Sequence, residues 1–482
     1  MSGSKGMDLA LFGEFCFSLP NWLRPPIMGF VLSILYFVIY YLTPVTLFGP
    51  LAEFRIELIL AALVFFVSAP RVVGSFTLRT PQSPALIGLT IAVFLSVLIE
   101  MRWAGGGVHA LLGFIPNAFA YFLVCLHCNS KRRLQVLVFM MLFVCLFVIA
   151  HGSIDLLSGV PESAGLQAGD TGTPYLLAMR SEAGEWFYRL RGLGVINDPN
   201  DFGQLVVCVI PLVFIFWRPK RMLQNTACVV LPVCVLLYGI FLTHSRGALV
   251  ALVAVAVVAA RRRIGTLPSL LVVGGLFAAA IALNFTGGRN ISASAGEDRT
   301  ALWGESLELL KSHPFFGVGF GNLPSYLGLT AHNSVAVCAA ELGLFGFYFW
   351  SLFLFPTIRD ALAIASPEKV SEGEPIVAEE GLFPNETRQI ESIDKAEINR
   401  LGRLMVLSLV GFLVAAWFLS RAFVMTLFLL GGMAEVIYEM ALQRGMIAPR
   451  LRLDRALLYA GVFAISLLLL IYVMLRTLHL MH

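Results

Sequence analysis

Charge is what this sequence has least of. Only 13% of its 482 residues are Asp, Glu, Lys or Arg, against about 25% in a soluble domain. Hydrophobic residues reach 58% and mean hydropathy is +0.83, which excludes a water-soluble core of this length. The net charge of +4, from 34 basic and 30 acidic residues, is too small and scattered for nucleic-acid binding. Cysteine is sparse as well. Cys16, Cys125, Cys128, Cys145, Cys208, Cys228, Cys234 and Cys338 sit mostly within apolar runs and give no disulfide framework. Cys125-Leu-His-Cys128 has metal-like spacing, but a lone pair at a helix end reads as packing. A cleavable signal is not expected, because the first long apolar run begins near Pro26 and ends without a small-residue cleavage site. Inverted hydropathy symmetry, frequent in alternating-access carriers, is not visible either.

What the chain does have is apolar length, enough for about thirteen spans of ~20 residues. The runs fall at roughly 26–47, 56–70, 84–101, 107–127, 134–151, 202–217, 225–243, 247–260, 267–285, 333–357, 401–419, 422–440 and 456–476. The expected fold is an all-α polytopic transmembrane helical bundle of about 12–13 spans. Lysine and arginine in short loops favour the cytoplasmic side. Lys131-Arg132-Arg133, Arg218-Pro-Lys220-Arg221, Arg261-Arg262-Arg263, and Arg444 with Arg450, Arg452 and Arg455 all land on one side if each run crosses once. Arg71, Arg79 and the N-terminus join them.

The predicted organisation follows from these crossings. Transmembrane helices fill 1–151, 202–285, 333–358 and 401–482, with outer loops at 152–201 and 286–332. A third polar segment, 359–400, is cytoplasmic and acidic, with Glu368, Glu372, Glu374, Glu379 and Glu380. It reads as a solvated connector.

The informative polar residues gather on the outer face. Arg189-Leu-Arg191-Gly-Leu-Gly194-Val-Ile-Asn197-Asp-Pro-Asn-Asp201 ends the first outer loop. Asn200 or Asp201 can cap the following helix and Pro199 suits its start. Arg191 is read either as structural or as a phosphate donor, its planar fork presenting five N–H groups. Leu242-Thr243-His244-Ser245-Arg246-Gly247 joins two runs with scarcely any loop. An arginine near membrane depth costs ~2.5–3.5 kcal/mol on insertion scales, and the positive-inside rule disfavours Arg246 there. A functional role is favoured over an interfacial anchor; His244 reads as an orienting or packing residue.

In the second outer loop Leu302, Trp303, Ser306, Leu309 and Leu310 recur at helical spacing, predicting an amphipathic helix along the interface that His313-Pro314 stops. Gly317, Gly319 and Gly321 then predict a flexible turn. No strand precedes them, so G-x-G-x-G is weak evidence for a phosphate cradle. Ala331-His332-Asn333-Ser334 opens the next run. A neutral imidazole there can accept a proton, while Asn333 or Ser334 can cap. Glu341 lies ~13 Å further along a helix and reads as a buried polar contact. Arg191, Arg246, Arg299 and His332 thus share one predicted face, an arrangement suited to holding a diphosphate and activating a hydroxyl.

At these residues the sequence resembles the O-antigen ligase and polymerase superfamily of bacterial inner-membrane glycan transferases. The matching pieces are Arg191-Gly-Leu-Gly194 with Asn197-Asp-Pro-Asn-Asp201, and His244-Ser-Arg246-Gly247. They continue with Asp298-Arg299-x-x-x-Trp303, Pro314-x-x-Gly317-x-Gly319, and His332-Asn333 followed by Glu341-x-Gly343-x-x-Gly346.

The resemblance implies a GT-C-like bundle whose long periplasmic loop contains short interfacial helices. It also implies an inverting transfer of a glycan from undecaprenyl diphosphate to an acceptor hydroxyl, either a glycan or lipid A-core, on the periplasmic face of the inner membrane. Under it Arg191, Arg246 and Arg299 bind the diphosphate, His332 is the general base, and Asn333, His244 and Asp298 support them. No cofactor, no metal and no nucleic-acid partner is implied; membrane lipids surround the protein. Polymerisation of repeat units is the alternative reaction within the family. A transporter of lipid-linked sugars is the alternative outside it, and would want polar residues along a transbilayer path.

Overall fold

The structure is a computed structural model and describes residues 25–44, 56–75, 80–159, 173–180, 186–282, 293–366 and 395–477. Cys16, Arg79 and the glutamates at 368–380 lie outside the described residues. Arg71 and Asp298 fall within helices whose side chains are not described at those positions.

The apolar runs are helices, as their length and hydropathy require. In chain order they are α1 (Pro25–Leu42), α2 (Ile56–Ser75), α3 (Gln82–Met101), α4 (Ala104–His127) and α5 (Lys131–Ser158). After a hairpin come α6 (Pro199–Val213), α7 (Leu231–Thr243), α8 (Arg246–Ile264) and α9 (Thr266–Ala282). Then follow α10 (Ala293–Ser312), α11 (Leu323–Leu327), α12 (Ser334–Ala365), α13 (Lys395–Ala416), α14 (Met425–Leu442) and α15 (Leu453–Thr477). Met222–Asn225 and a π turn over Thr226–Val230 extend α7 backwards. Among the described residues nine helices are long and apolar enough to cross a membrane, and Ile27–Leu42, Ile56–Ala69 and Thr266–Ala278 are shorter apolar helices. With α8, whose last turn carries Arg261, Arg262 and Arg263, these account for every apolar run read from the sequence. The protein is a multi-pass, all-α membrane protein.

Two ends of the bundle are chemically distinct. At one, Lys131 pairs with Glu397 at 2.9 Å, Arg400 donates to the carbonyls of Phe214 and Trp217 at 2.9 and 3.4 Å, and Arg262 donates to Ser366 at 3.2 Å. Three of the basic clusters therefore gather at one end, as the alternation of spans demands. The opposite end carries the N-termini of α6, α8 and α12, each capped by a side chain. Asp198 accepts from the Asn200 N–H, Ser245 from Ala248, and Asn333 from Val335 and Ala336. Such caps satisfy donors that a helix start otherwise leaves unpaired.

The bundle is built around α12 and α14. Helix α12 packs against α3, α10, α13, α14 and α15. Helix α14 has 94% of its apolar window buried and α15 only 17%, so α14 is central and α15 faces lipid. Helix α12 is broken at Gly343, whose φ is +63°. The 314–319 turn fills the break. The N–H groups of Leu344 and Phe345 donate to the carbonyls of Pro314 and Phe315 at 2.8 and 3.1 Å, and those of Val318 and Gly319 donate to Ala340 and Glu341 at 2.9 and 3.0 Å. Backbone freed inside a membrane helix must find such partners. Only glycine fits here, because a Cβ on Gly317 would lie 2.4 Å from the Ala340 carbonyl oxygen and one on Gly343 2.5 Å from the Phe315 carbonyl. The glycines predicted as a flexible turn are thus a clip on α12. The Glu341 carboxylate completes it, accepting the backbone N–H groups of Gly321 and Leu323.

Two elements differ from the predicted layout. The first outer loop holds an antiparallel hairpin, β1 (Leu176–Arg180) and β2 (Trp186–Leu190), with Leu176 opposite Leu190 and Ala178 opposite Tyr188. Leu176, Ala178 and Leu190 are buried, and β2 rests on α5 and α7. Helix α12 also runs to Ala365 and α13 begins at Lys395, so helix continues into both ends of the 359–400 segment.

Candidate functional site

The capped end of the bundle holds a narrow cleft of about 20 Å³ lined by Asn200, Arg246, Gly247, Arg299, His332, Phe418 and Leu419. Each polar side chain arrives on a different element. Asn200 is in the first turn of α6, Arg246 is the first residue of α8, Arg299 is on α10, and His332 immediately precedes the Asn333 cap of α12.

Arg246 owes its place to a tight turn. His244 closes α7 with φ +47°, and Ser245 then caps α8. Its hydroxyl also donates to the Asn200 side-chain oxygen at 2.8 Å. Arg189, almost fully buried on β2, donates from Nε to the Thr243 carbonyl at 2.8 Å and from Nη2 to the same Asn200 oxygen at 3.1 Å. The hairpin, the α7–α8 turn and the start of α6 are thereby locked together. Helices α6 and α8 also approach closely, since a Cβ on Gly203 would sit 2.8 Å from that of Ala248.

Arg299 is placed by the tryptophan one turn on, which shares its helix face. Trp303 is buried and donates from its indole N–H to the Ala331 carbonyl at 2.8 Å. Its ring stands edge-on to Trp417 at 6.1 Å. Helix α10 occupies the stretch where an amphipathic helix is expected, with Trp303, Ser306, Leu307 and Leu310 buried and its last residue just before His313.

His332 is held by its backbone. Its φ is +51°, in the left-handed region that few non-glycine residues adopt. Its N–H donates to the Ser420 hydroxyl at 2.8 Å. The flanking residues bind the α13–α14 connector as well. Asn333 donates from Nδ2 to the Trp417 carbonyl at 3.1 Å, Ser334 donates to the Leu419 carbonyl at 2.7 Å, and the Arg421 N–H donates to the Ser334 hydroxyl at 3.0 Å. Segments 331–334 and 417–421 form a laced pair that carries the imidazole into the cleft.

The electrostatics of the cleft are strongly positive. Burial, and then the neighbouring charge of Arg246, pull the Arg299 guanidinium below its usual pKa. Burial, and then Arg299, likewise hold the His332 imidazole below its ordinary value, against a smaller opposing pull from Asp198. This favours the neutral imidazole. The positive ends of three helix dipoles add to this field. Chemically, such a cleft suits an anion placed beside a neutral imidazole.

Of the residues read from the sequence, Arg246, Arg299 and His332 converge. Arg191 does not line the cleft, and its guanidinium donates to the carbonyls of Pro174 and Thr173 at 3.2 and 3.5 Å. Asn333 acts as a buried cap and brace. His244 packs edge-on to Phe241 and Phe187 at 5.5 and 5.9 Å. Cys125 and Cys128 are buried free thiols.

Several contributors are not evident from the sequence. Asp201, read as a cap, instead forms a buried ion pair with Arg421 from the α13–α14 connector. Burial opposes the Arg421 charge, but Asp201 outweighs it and the guanidinium pKa rises. In the sequence Asn200 reads only as a cap, and Arg189 only as the start of a motif. Their pairing depends on chain segments far apart in sequence, which spacing does not reveal.

Residues 231–351, a quarter of the chain, match the family model described as O-antigen ligase. The matched span contains Arg246, Arg299 and His332 and stops short of Arg421. It supports a glycosyltransferase-like membrane enzyme of the O-antigen ligase or polymerase type, a family that works on lipid-linked glycans. No curated protein matches the chain.

Proposed function

We propose that this protein transfers a glycan from undecaprenyl diphosphate to an acceptor hydroxyl, as an O-antigen ligase-type enzyme working on the periplasmic face of the bacterial inner membrane. The observation that carries the reading is the meeting of Arg246, Arg299 and His332 with Asn200 around one cleft, from elements far apart in the chain.

In this reaction the acceptor oxygen attacks the anomeric carbon while its proton passes to the neutral His332 imidazole. The bond from that carbon to the diphosphate oxygen breaks, and its electron pair leaves on undecaprenyl diphosphate. A single displacement inverts the anomeric configuration. Arg246 and Arg299 face the charge that grows on the leaving diphosphate, where fixed positive groups lower the barrier most. A diphosphate is larger than the cleft, so it sits across the mouth. Arg191 belongs to the scaffold in this scheme, fastening the chain after the hairpin to residues 173 and 174.

The test uses purified protein with a lipid-linked glycan and lipid A-core from the same host, with EDTA present. Release of undecaprenyl diphosphate with the glycan relocated to lipid A-core is the expected result. A lengthened glycan identifies a polymerase. No release overturns the transferase reading and leaves the arginines as anchors for a carried headgroup.

A further inference from the structure

Beyond the 417–421 connector lies a second, larger cavity of about 290 Å³. It shares a wall with the cleft, because Thr330, Ser420 and Arg421 line it while His332, Phe418 and Leu419 line the cleft. Its volume is at the small end for a ligand pocket, room for one compact moiety. The lining is mixed. Tyr40, Tyr41, Phe320 and Phe423 supply ring faces, Asn117 and Arg421 supply side-chain N–H donors, and Tyr41 faces Thr426 at 2.9 Å. Polar side chains at membrane depth mark sites of function rather than lipid contact.

We propose that this cavity holds a single sugar ring of a substrate glycan, an inference that rests on the transferase reading for its biological meaning. A sugar ring presents apolar C–H faces to the aromatic rings and a girdle of hydroxyls to Asn117, Thr330, Ser420 and Arg421. An isoprenoid chain fits the same volume but offers no acceptor to the Asn117 N–H left over from its bond to Gly113 or to the Arg421 N–H groups turned from Asp201, and burying such groups without an acceptor is unfavourable. The lining carries no uncompensated cation to hold an acidic sugar, since Arg421 is paired with Asp201 and the other ionisable carboxyl group, Glu341, would repel one.

Gly113 provides the test. It lines the cavity from α4, and a Cβ built on it meets no atom within 4 Å. Gly113→Leu therefore starts from open space and puts its branched end toward the cavity, and Gly113→Ala, whose Cβ meets nothing, is the matched control; a thermal melt of each variant separates a filled cavity from a disturbed fold. The KM for the lipid-linked glycan, the KM for lipid A-core and the Ki of sugar-free undecaprenyl diphosphate are measured for each variant. A tenfold or greater rise in one KM in Gly113→Leu, with Gly113→Ala near wild type and the Ki unchanged, is expected. Which KM rises tells whether the ring belongs to donor or acceptor. A rise in the Ki overturns the proposal in favour of the carrier chain, and unchanged constants overturn it outright. Binding of the delipidated core oligosaccharide and of the glycan released from its carrier, followed calorimetrically, gives a readout independent of turnover. Weaker binding of either in Gly113→Leu upholds the cavity even if the transferase reading fails, and equal binding of both refutes it.

Discussion

Arg421 and Asp201, 220 positions apart in sequence, form an ion pair at the base of the candidate site. Asp201 is 5% exposed and Arg421 35%. One partner is thus fully committed to the bundle while the other looks into the cavity. The pair ties the start of α6 to the connector that carries Ser420, and through Ser420 it reaches the backbone of His332. Arg421→Ala leaves a buried carboxylate unpaired. The expected loss is about 3 kcal/mol, at the low end for breaking a buried pair because Arg421 keeps some solvent. Thermal unfolding in detergent measures it, and Arg421→Lys, which keeps the charge, recovers part of the loss.

His332→Ala removes the proposed base. Turnover falls by about 10²–10⁴ while the melting temperature stays close to wild type, because the backbone N–H to Ser420 survives the substitution. Carrier release in detergent and a thermal melt on the same sample separate a catalytic effect from a folding one.

The pH profile follows from the charges around the imidazole. Protonated His332 is inactive as a base, so kcat/KM falls as pH drops through its pKa and is level above it. Burial and Arg299 hold that pKa below the ordinary value, about 6.5 for free histidine, so the acid limb lies below that of a free imidazole. Arg299→Gln removes a positive neighbour and favours the imidazolium. The limb then moves to higher pH, and a limb that stays in place or moves down refutes the coupling.

Arg246→Ala and Arg191→Ala are expected to part company. Losing a group that stabilises developing charge costs on the order of 10²–10³ in kcat, and Arg246 is placed for that work. Arg191 is engaged with the carbonyls of residues 173 and 174, so its loss loosens the hairpin region with a much smaller effect on kcat. Equal losses in both variants mean that Arg191 leaves those carbonyls to reach the ligand.

Gly343→Ala tests the clip on α12. With φ +63° and no space for a Cβ, the substitution costs roughly 1–3 kcal/mol in strain and displaces the 314–319 turn. Lower thermal stability, measured beside Gly461→Ala in α15, where a Cβ meets only the Tyr348 ring at 3.8 Å, checks it.

Much of this architecture is legible in the sequence because the bilayer enforces a simple code. A run such as 134–151 has to be helix once it is that long and apolar, and charge clusters such as Lys131-Arg132-Arg133 place its end. Arg246 is legible for a related reason, being an arginine where apolar residues are expected, while Arg299 and His332 stand out through the motifs Asp298-Arg299-x-x-x-Trp303 and His332-Asn333. What escapes is whatever depends on partners distant in the chain. Asp201 looks like a cap until Arg421 appears beside it, and Gly317 looks flexible until the break at Gly343 shows what it fits. The β1–β2 hairpin is missed because Trp186-Phe-Tyr-Arg-Leu is too short to stand out from a polar loop, although aromatic residues favour strand.

The connector from Trp417 to Arg421 is held to residues 331–334 through two backbone carbonyls, one backbone N–H and the Ser420 hydroxyl. Three of these four attachments are made by main chain and do not specify the side chains at Phe418 or Leu419, which line the cleft. The stretch is therefore a place where sequence can drift while its path is kept. New surface chemistry can be tried at these two positions beside the imidazole while the ties to the neighbouring spans are kept.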